Sequence, residues 1–106
     1  MVVRRFGVYL ASLEPTVGRE IGKTRPCVVV SPDEVNRHLR TVIVAPMTST
    51  RKGYPSRVPG HFAGWDGEVA LDQVRTVDQS RLVRHVDALH DATGRQVLRV
   101  LREMFR

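Results

Sequence analysis

The chain has one cysteine, few acids relative to bases, and no long apolar run. Cys27 is alone among 106 residues, so no internal disulfide can form. Within Pro26-Cys27-Val28-Val29-Val30 it reads as a small buried hydrophobe. No apolar stretch approaches the ~20 residues that a membrane-spanning helix needs. The start, Met1-Val2-Val3-Arg4-Arg5, has charge but neither the apolar core nor the small-residue cleavage site of a secretory signal. These absences set the expectation of a cytoplasmic protein with no membrane association. No Cys/His set has zinc spacing, and there is no glycine-rich phosphate loop or EF-hand pattern. No metal and no other cofactor is implied. His38, His61, His85 and His90 lie in no motif and read as structural or exposed. Repeats, low-complexity tracts and linkers are also missing, so residues 1–106 are read as one domain. A chain of this size buries roughly 65 % of its unfolded surface, enough for one core with little to spare.

The shortage of acid leaves a net charge of +6 and a pI near 10.7. Two of the seventeen basic residues are lysines, Lys23 and Lys52, so fifteen are arginines. Either a GC-rich coding bias or phosphate binding explains that ratio, since a planar guanidinium meets two phosphate oxygens where an ammonium does not. The charge points to an anionic partner, a nucleic acid or an acidic protein segment, without choosing between them.

Phe6 to Leu13 alternates as a first strand. The glycines and proline of 14–24 predict a long polar loop. Pro26 opens a β-branched run, Val28 to Val30, that reads as a buried strand. Ser31-Pro32-Asp33-Glu34 has the form of a helix start, with Ser31 capping and Pro32 at the first helical position, and that helix ends near His38. Thr41 to Ala45 is the next strand, closed by Pro46, and Met47 to Tyr54 is a second polar loop. Short strands are expected around Arg57-Val58 and Glu68 to Leu71. Between them Gly60 to Gly67 reads as a loop with an Asp66-Gly67 turn. Asp72 to Asp78 alternates with Val74 and Val77 inward, and Arg81 to Leu89 holds a further strand. A helix from about Asp91 to Phe105 presents Val97, Leu98, Val100, Leu101, Met104 and Phe105 on one face and Arg95, Arg99, Arg102 and Arg106 on the other. Short strands sealed by a terminal helix predict an α+β, mainly β domain: a small, strongly bent antiparallel sheet or barrel.

Four motifs go further than this. They are Gly7-Val8-Tyr9-Leu10-Ala11-Ser12-Leu13-Glu14-Pro15-Thr16-Val17-Gly18-Arg19-Glu20, Thr24-Arg25-Pro26-Cys27-Val28-Val29-Val30-Ser31-Pro32, Val44-Ala45-Pro46-Met47-Thr48-Ser49 and Leu71-Asp72-Gln73-Val74-Arg75-Thr76-Val77-Asp78. In this order and spacing, with Lys52-Gly53-Tyr54-Pro55 between the last two, the chain resembles the MazF/PemK family of toxin endoribonucleases. Each motif alone is weak; four in register over about seventy residues are specific. Two departures stand out. Gly7-Val8 replaces the usual Gly-Asp before the first strand, and Arg19 stands where members often have a small residue.

The resemblance implies a homodimer of small SH3-like (PemK/CcdB-like) antiparallel β-barrels with a short helix and a C-terminal helix. It implies sequence-selective, metal-independent cleavage of single-stranded RNA to 2′,3′-cyclic phosphate and 5′-hydroxyl ends. It also implies a cognate acidic antitoxin of the MazE type that occupies the RNA groove. The residues have suitable chemistry. Arg25 follows the glycine-containing loop and precedes Pro26, which extends its backbone; it suits stabilisation of phosphoryl charge, against the plainer role of a surface ion pair. The Thr48 hydroxyl can donate to a phosphate oxygen or cap a turn. Glu20 can take the 2′-hydroxyl proton, orient Arg25, or stand solvated, and which group is the base stays open. Gln73 can read a base edge or hydrogen-bond within the sheet. Arg75, Arg5 and Arg19 are candidate RNA contacts, Tyr54 a candidate stacking ring, and Trp65 reads as packing. The competing function is a CcdB-like, non-enzymatic toxin that binds DNA gyrase through the C-terminal helix. A third is a non-catalytic relative that binds only an acidic partner.

Overall fold

One strand, β3 (Thr41–Thr48), organises the molecule. On one edge it pairs antiparallel with β2 (Thr24–Val29), Cys27 opposite Pro46 and Val29 opposite Val44. On the other edge it changes partner. Thr41 to Val44 pair with β6 (Arg75–Asp78), then Met47 and Thr48 pair with β5 (Trp65–Ala70). β1 (Gly7–Ser12) joins β2 to β7 (Leu82–Ala88), and β4 (Arg57–Phe62) forms a hairpin with β5. The path is β4-β5-β3-β2-β1-β7, with β6 beside β3. The helices are α1 (Asp33–His38) and α2 (Asp91–Met104), and a 3₁₀ turn spans Leu71–Gln73. This is a computed structural model, and it describes residues 1–62 and 64–106.

Alternation along the strands builds two cores, one on each face. Tyr9, Ala11, Leu13, Cys27, Val29, Val42, Val44, Val77 and Leu82 form the first, enclosed by the curl of β7-β1-β2-β3-β6, with Ile21 from the long loop packed against it. Val8, Val28, Ala45, Met47, Val58, Val69, Leu71 and Val97 form the second, covered by α2. Gly94 lets α2 lie against the Phe6 ring, since a Cβ there would stand 2.8 Å from two ring carbons. Among the described residues no helix is long and apolar enough to cross a membrane.

Four expectations need correction. Pro46 does not close β3 but lies inside it. Ile43 O accepts from Val30 N, so by alternation Pro46 faces the opposite edge. On that edge the β6 pairing ends at Val44 and the β5 pairing starts at Met47, so the missing N–H falls in the gap. Residues 60–67 are mostly hairpin: Gly60 pairs with Gly67, His61 with Asp66 and Phe62 with Trp65, with Gly64 at φ 80° in the link. Ser31 does not cap α1. Pro32 is the N-cap, and the buried Ser31 hydroxyl donates to Asn36 Oδ1 at 2.5 Å and accepts from Ile43 N at 3.1 Å. Met104 and Phe105 are 38 % and 75 % exposed, so the apolar face of α2 is not covered to its end.

Gly67 is required by close approach rather than by a turn: a Cβ there would overlap the Thr48 carbonyl and the Trp65 ring. Gly67→Ala should therefore destabilise the fold by about 2–3 kcal/mol, as overpacking does. Urea unfolding measures it; an unchanged midpoint would show that β3 and β5 have room to separate.

Candidate functional site

The β2–β3 register decides where the chemistry sits. Cys27 faces Pro46, and continuing the pairing outward sets Arg25 opposite Thr48, where the two strands part. Both lie on the Cys27 and Val44 face, so they stand at the mouth of the first core. The 13–23 loop folds over this mouth. Its ends are tied by Leu13 N to Lys23 O at 2.9 Å and by Lys23 N to Glu14 Oε1 at 2.6 Å. Glu20 is exposed and its Oε1 accepts from Val17 N at 2.6 Å, fixing the turn. Arg25 is half-buried and its Nε donates to Gly22 O at 2.8 Å. It is this carbonyl that orients Arg25.

Three further side chains pin the loop. Gln73 Oε1 accepts from Ile21 N at 3.1 Å and Gln73 Nε2 donates to Arg19 O at 3.5 Å. Arg75 Nη1 donates to Leu13 O at 3.0 Å. Arg81 Nη1 donates to Ser12 O at 3.2 Å and to Glu14 O. Between loop and sheet lies a cleft of about 440 Å³ lined by Pro15, Glu20, Ile21, Asp72, Gln73, Val74 and Arg75. Arg25 and Arg75 both act on Cys27, yet burial outweighs them and pushes the thiol up to about 12. Cys27 is thus a neutral core group at pH 7, not a nucleophile.

The other wall is the loop after Thr48. Thr48 Oγ1 accepts from Thr50 N at 3.2 Å. Glu68, opposite Thr48 on β5 and almost fully buried, accepts from Lys52 N at 3.0 Å and Gly53 N at 2.9 Å. Arg57 binds Asp72 through two bonds, Nε to Oδ1 at 2.6 Å and Nη2 to Oδ2 at 3.1 Å, and reaches Glu68 Oε1 from Nη1 at 3.4 Å. Tyr54, half exposed, lies with its ring 5.1 Å from the Arg57 guanidinium. Burial pushes Glu68 upward, but the two loop N–H groups and Arg57 outweigh it and hold the carboxyl below its ordinary value. Arg57 hydrogen bonding does the same for Asp72.

The fold therefore gathers Glu20, Arg25, Thr48, Gln73, Arg75, Arg19 and Tyr54 on one end. Arg5 stands apart. Its Nε donates to Val30 O at 3.0 Å and its N to Asp33 Oδ1 at 2.6 Å, which puts it at the far end of β2 from Arg25. Arg57, Glu68, Asp72 and Arg81 were not singled out from sequence. The one local signal was a carboxylate, Glu68, heading the apolar run Val69-Ala70-Leu71.

Residues 4–105 match the family described as PemK-like, MazF-like toxin of type II toxin-antitoxin system. The chain is 36 % identical over 99 residues to Endoribonuclease EndoA of Bacillus subtilis, covering 86 % of this chain and 84 % of the relative. Among solved structures it is similar to MazF of Deinococcus radiodurans, with a TM-score of 0.88 at 27 % identity over 99 % of this chain and 97 % of the other. It is also similar to a MazE-MazF structure from that organism, TM-score 0.83 at 26 % identity over 99 % and 97 %. In fold it matches a mycobacterial endoribonuclease solved with its cognate antitoxin, TM-score 0.83 at 23 % identity over 97 % and 94 %.

The depressed Glu68 and Asp72 carboxyls make stability pH-dependent. Their contribution is complete above the unfolded carboxylate range, ~4, and is lost as pH falls through the lower folded values. Glu68→Gln should cost ~2 kcal/mol at pH 7, as for a charged hydrogen bond, and the gap from wild type should close toward pH 3. Thermal melts across pH 3–7 check it; a constant gap would show that the Glu68 charge contributes nothing.

Proposed function

The chain belongs to the PemK-like, MazF-like toxins of type II toxin-antitoxin systems, and from that premise we propose that it is an endoribonuclease toxin whose Arg25, Thr48 and Glu20 cut single-stranded RNA. The observation that carries the assignment is the β2–β3 register, which extended past the Cys27–Pro46 pair puts Arg25 across from Thr48, next to the loop whose Glu20 lines a cleft with Gln73 and Arg75.

The reaction uses the substrate's own nucleophile. The 2′-oxygen attacks the adjacent phosphorus, the bond from phosphorus to the 5′-oxygen breaks as that oxygen takes a proton from water, and the products carry a 2′,3′-cyclic phosphate and a 5′-hydroxyl. Glu20 takes the 2′-hydroxyl proton; Arg25 is unsuited to that task because a guanidinium holds its proton at neutral pH. With Arg25 Nε anchored on Gly22 O, its terminal nitrogens meet the two non-bridging oxygens as charge builds on them. Thr48 donates its hydroxyl to a phosphate oxygen. Arg75 and Arg19 hold flanking phosphates, Tyr54 stacks on a base, and the Gln73 amide reads a base edge with the N–H and the oxygen lone pair that its bonds to Ile21 N and Arg19 O leave spare. The chain works as a cytoplasmic homodimer. An acidic antitoxin segment competes with RNA for this basic end, and the competition weakens with salt. These steps use only side chains of the protein and water, so cleavage should persist in excess EDTA; loss on chelation, restored by a divalent ion, would replace this mechanism with a metal-assisted one.

Arg25→Lys tests the mechanism most directly. Charge and long-range attraction for RNA are kept, but the planar fork is lost. Single-turnover cleavage should fall ~10²–10³-fold, nearly as far as in Arg25→Ala, as expected for a displaced transition-state donor. RNA affinity should change far less. Cleavage within a few-fold of wild type would reduce Arg25 to generic positive charge. A gyrase-binding toxin acting through α2 would kill cells equally well with either variant, so toxicity of the two separates the readings.

A further inference from the structure

We propose that Arg57 is a positioning residue for RNA cleavage, holding the Thr48 loop and the Asp72–Gln73 turn at a fixed separation across the site. The catalytic half of this proposal rests on the ribonuclease reading above; the mechanical half does not.

Arg57 opens β4 with a side chain 8 % exposed, and its partner Asp72 lines the cleft. Every polar edge of its guanidinium is committed. Nε and Nη2 take the two oxygens of Asp72, Nη1 takes Glu68, and the flat face lies against Tyr54. Each partner leads to a different part of the site. Glu68 sits opposite Thr48 and gathers the N–H groups of Lys52 and Gly53, so it sets the course of the loop between Thr48 and Tyr54. Asp72 adjoins Gln73, which clamps the 13–23 loop through Ile21 N and Arg19 O. The bonds therefore run without a break from one wall of the cleft to the other, and Arg57 is the member that joins the halves.

The chemistry of the cluster argues for direction rather than cohesion. Arg57 and Glu68, with side chains 8 % and 5 % exposed, lose most of their hydration, while Asp72 at 31 % keeps part of its own, and well-packed apolar residues often serve stability as well as such a buried pair. A guanidinium with two carboxylates adds what apolar packing lacks: fixed angles and one allowed separation. A site that stabilises charge at phosphorus needs its donors held to a fraction of an ångström. Arg25 and Thr48 lie on strands that part at this point, so their spacing depends on what holds the loops beyond the ladder.

Arg57→Lys in the full-length protein is the test. It preserves charge and bulk but cannot meet both carboxylates and the Tyr54 face in one plane. With the fold intact by circular dichroism, single-turnover cleavage of a single-stranded RNA should fall at least tenfold while RNA affinity changes less than threefold. Amide hydrogen exchange, read by NMR without RNA, should speed up at Lys52 and Gly53 and also at Ile21. Ile21 N is bonded to Gln73 and Arg57 to Asp72 and Glu68, so Ile21 is reached from Arg57 through Asp72 and Gln73, and a purely local packing role would leave it unmoved. Cleavage within twofold of wild type, or unchanged exchange at Ile21, overturns the proposal. Should Arg57→Lys fail to fold, Glu68→Gln removes the charge of one arm alone. Faster exchange at Lys52 and Gly53 with slower cleavage supports the proposal, and unchanged cleavage overturns it. A wild-type protein that leaves RNA uncut defeats the ribonuclease reading, while the exchange at Ile21 still judges the coupling.

Discussion

The pairing of Cys27 with Pro46 carries more of the function than either residue's chemistry. With that register, Arg25 and Thr48 face each other where β2 and β3 part, on the face that opens into the cleft. A slip of one residue would turn one of the two side chains to the opposite face of the sheet, since side chains alternate with a period of two. The register is held from both sides. Val29 and Val44 lie in one core, Val28 and Ala45 in the other, and all are buried. A slip would exchange the two sets and wreck both cores together. Pro46 reinforces this, because only one position along β3 has no partner waiting for its missing N–H.

Electrostatics then act on the geometry that the register leaves. The few acids of this basic chain are largely committed to internal bonds. Glu14, Glu20, Asp33, Glu68, Asp78 and Asp87 accept from backbone N–H groups, and Asp72 from Ser56 and Arg57. They turn loops as well as pairing with arginines, and the excess of basic over acidic residues leaves the charge of +6 that draws in polyanions.

What was legible in the sequence was whatever a local pattern can encode. The alternation of β1, the Val28–Val30 run and the periodicity of the 14-residue α2 are local patterns, and the four family motifs add their order along the chain. What was missed depends on partners distant in sequence. Pro46 reads as a strand end until it is known that β3 changes neighbours at that point. Residues 60–67 are glycine-rich like a loop, yet Gly60, His61 and Phe62 face Gly67, Asp66 and Trp65 across the hairpin. Arg57 and Asp72 are fifteen positions apart, and nothing near either one announces the other. Arg5 was grouped with Arg75 and Arg19 as an RNA contact, whereas it lies at the far end of β2 from Arg25.

The excess of arginine over lysine, which the sequence left between coding bias and phosphate binding, acquires a third explanation in the fold. Arg5, Arg25, Arg75 and Arg81 each donate to a backbone carbonyl, those of Val30, Gly22, Leu13 and Ser12, at strand ends or in loops. A guanidinium can hold a carbonyl with one nitrogen and keep others aimed elsewhere in the same plane; an ammonium rotates and stays strongly hydrated. Arg25 uses this most fully, because anchoring Nε fixes the plane in which its terminal nitrogens lie. Arg57 uses it as a junction among three partners. The property that suits arginine to phosphate, several donors in one rigid plane, is thus the same property that shapes the loops around the proposed site.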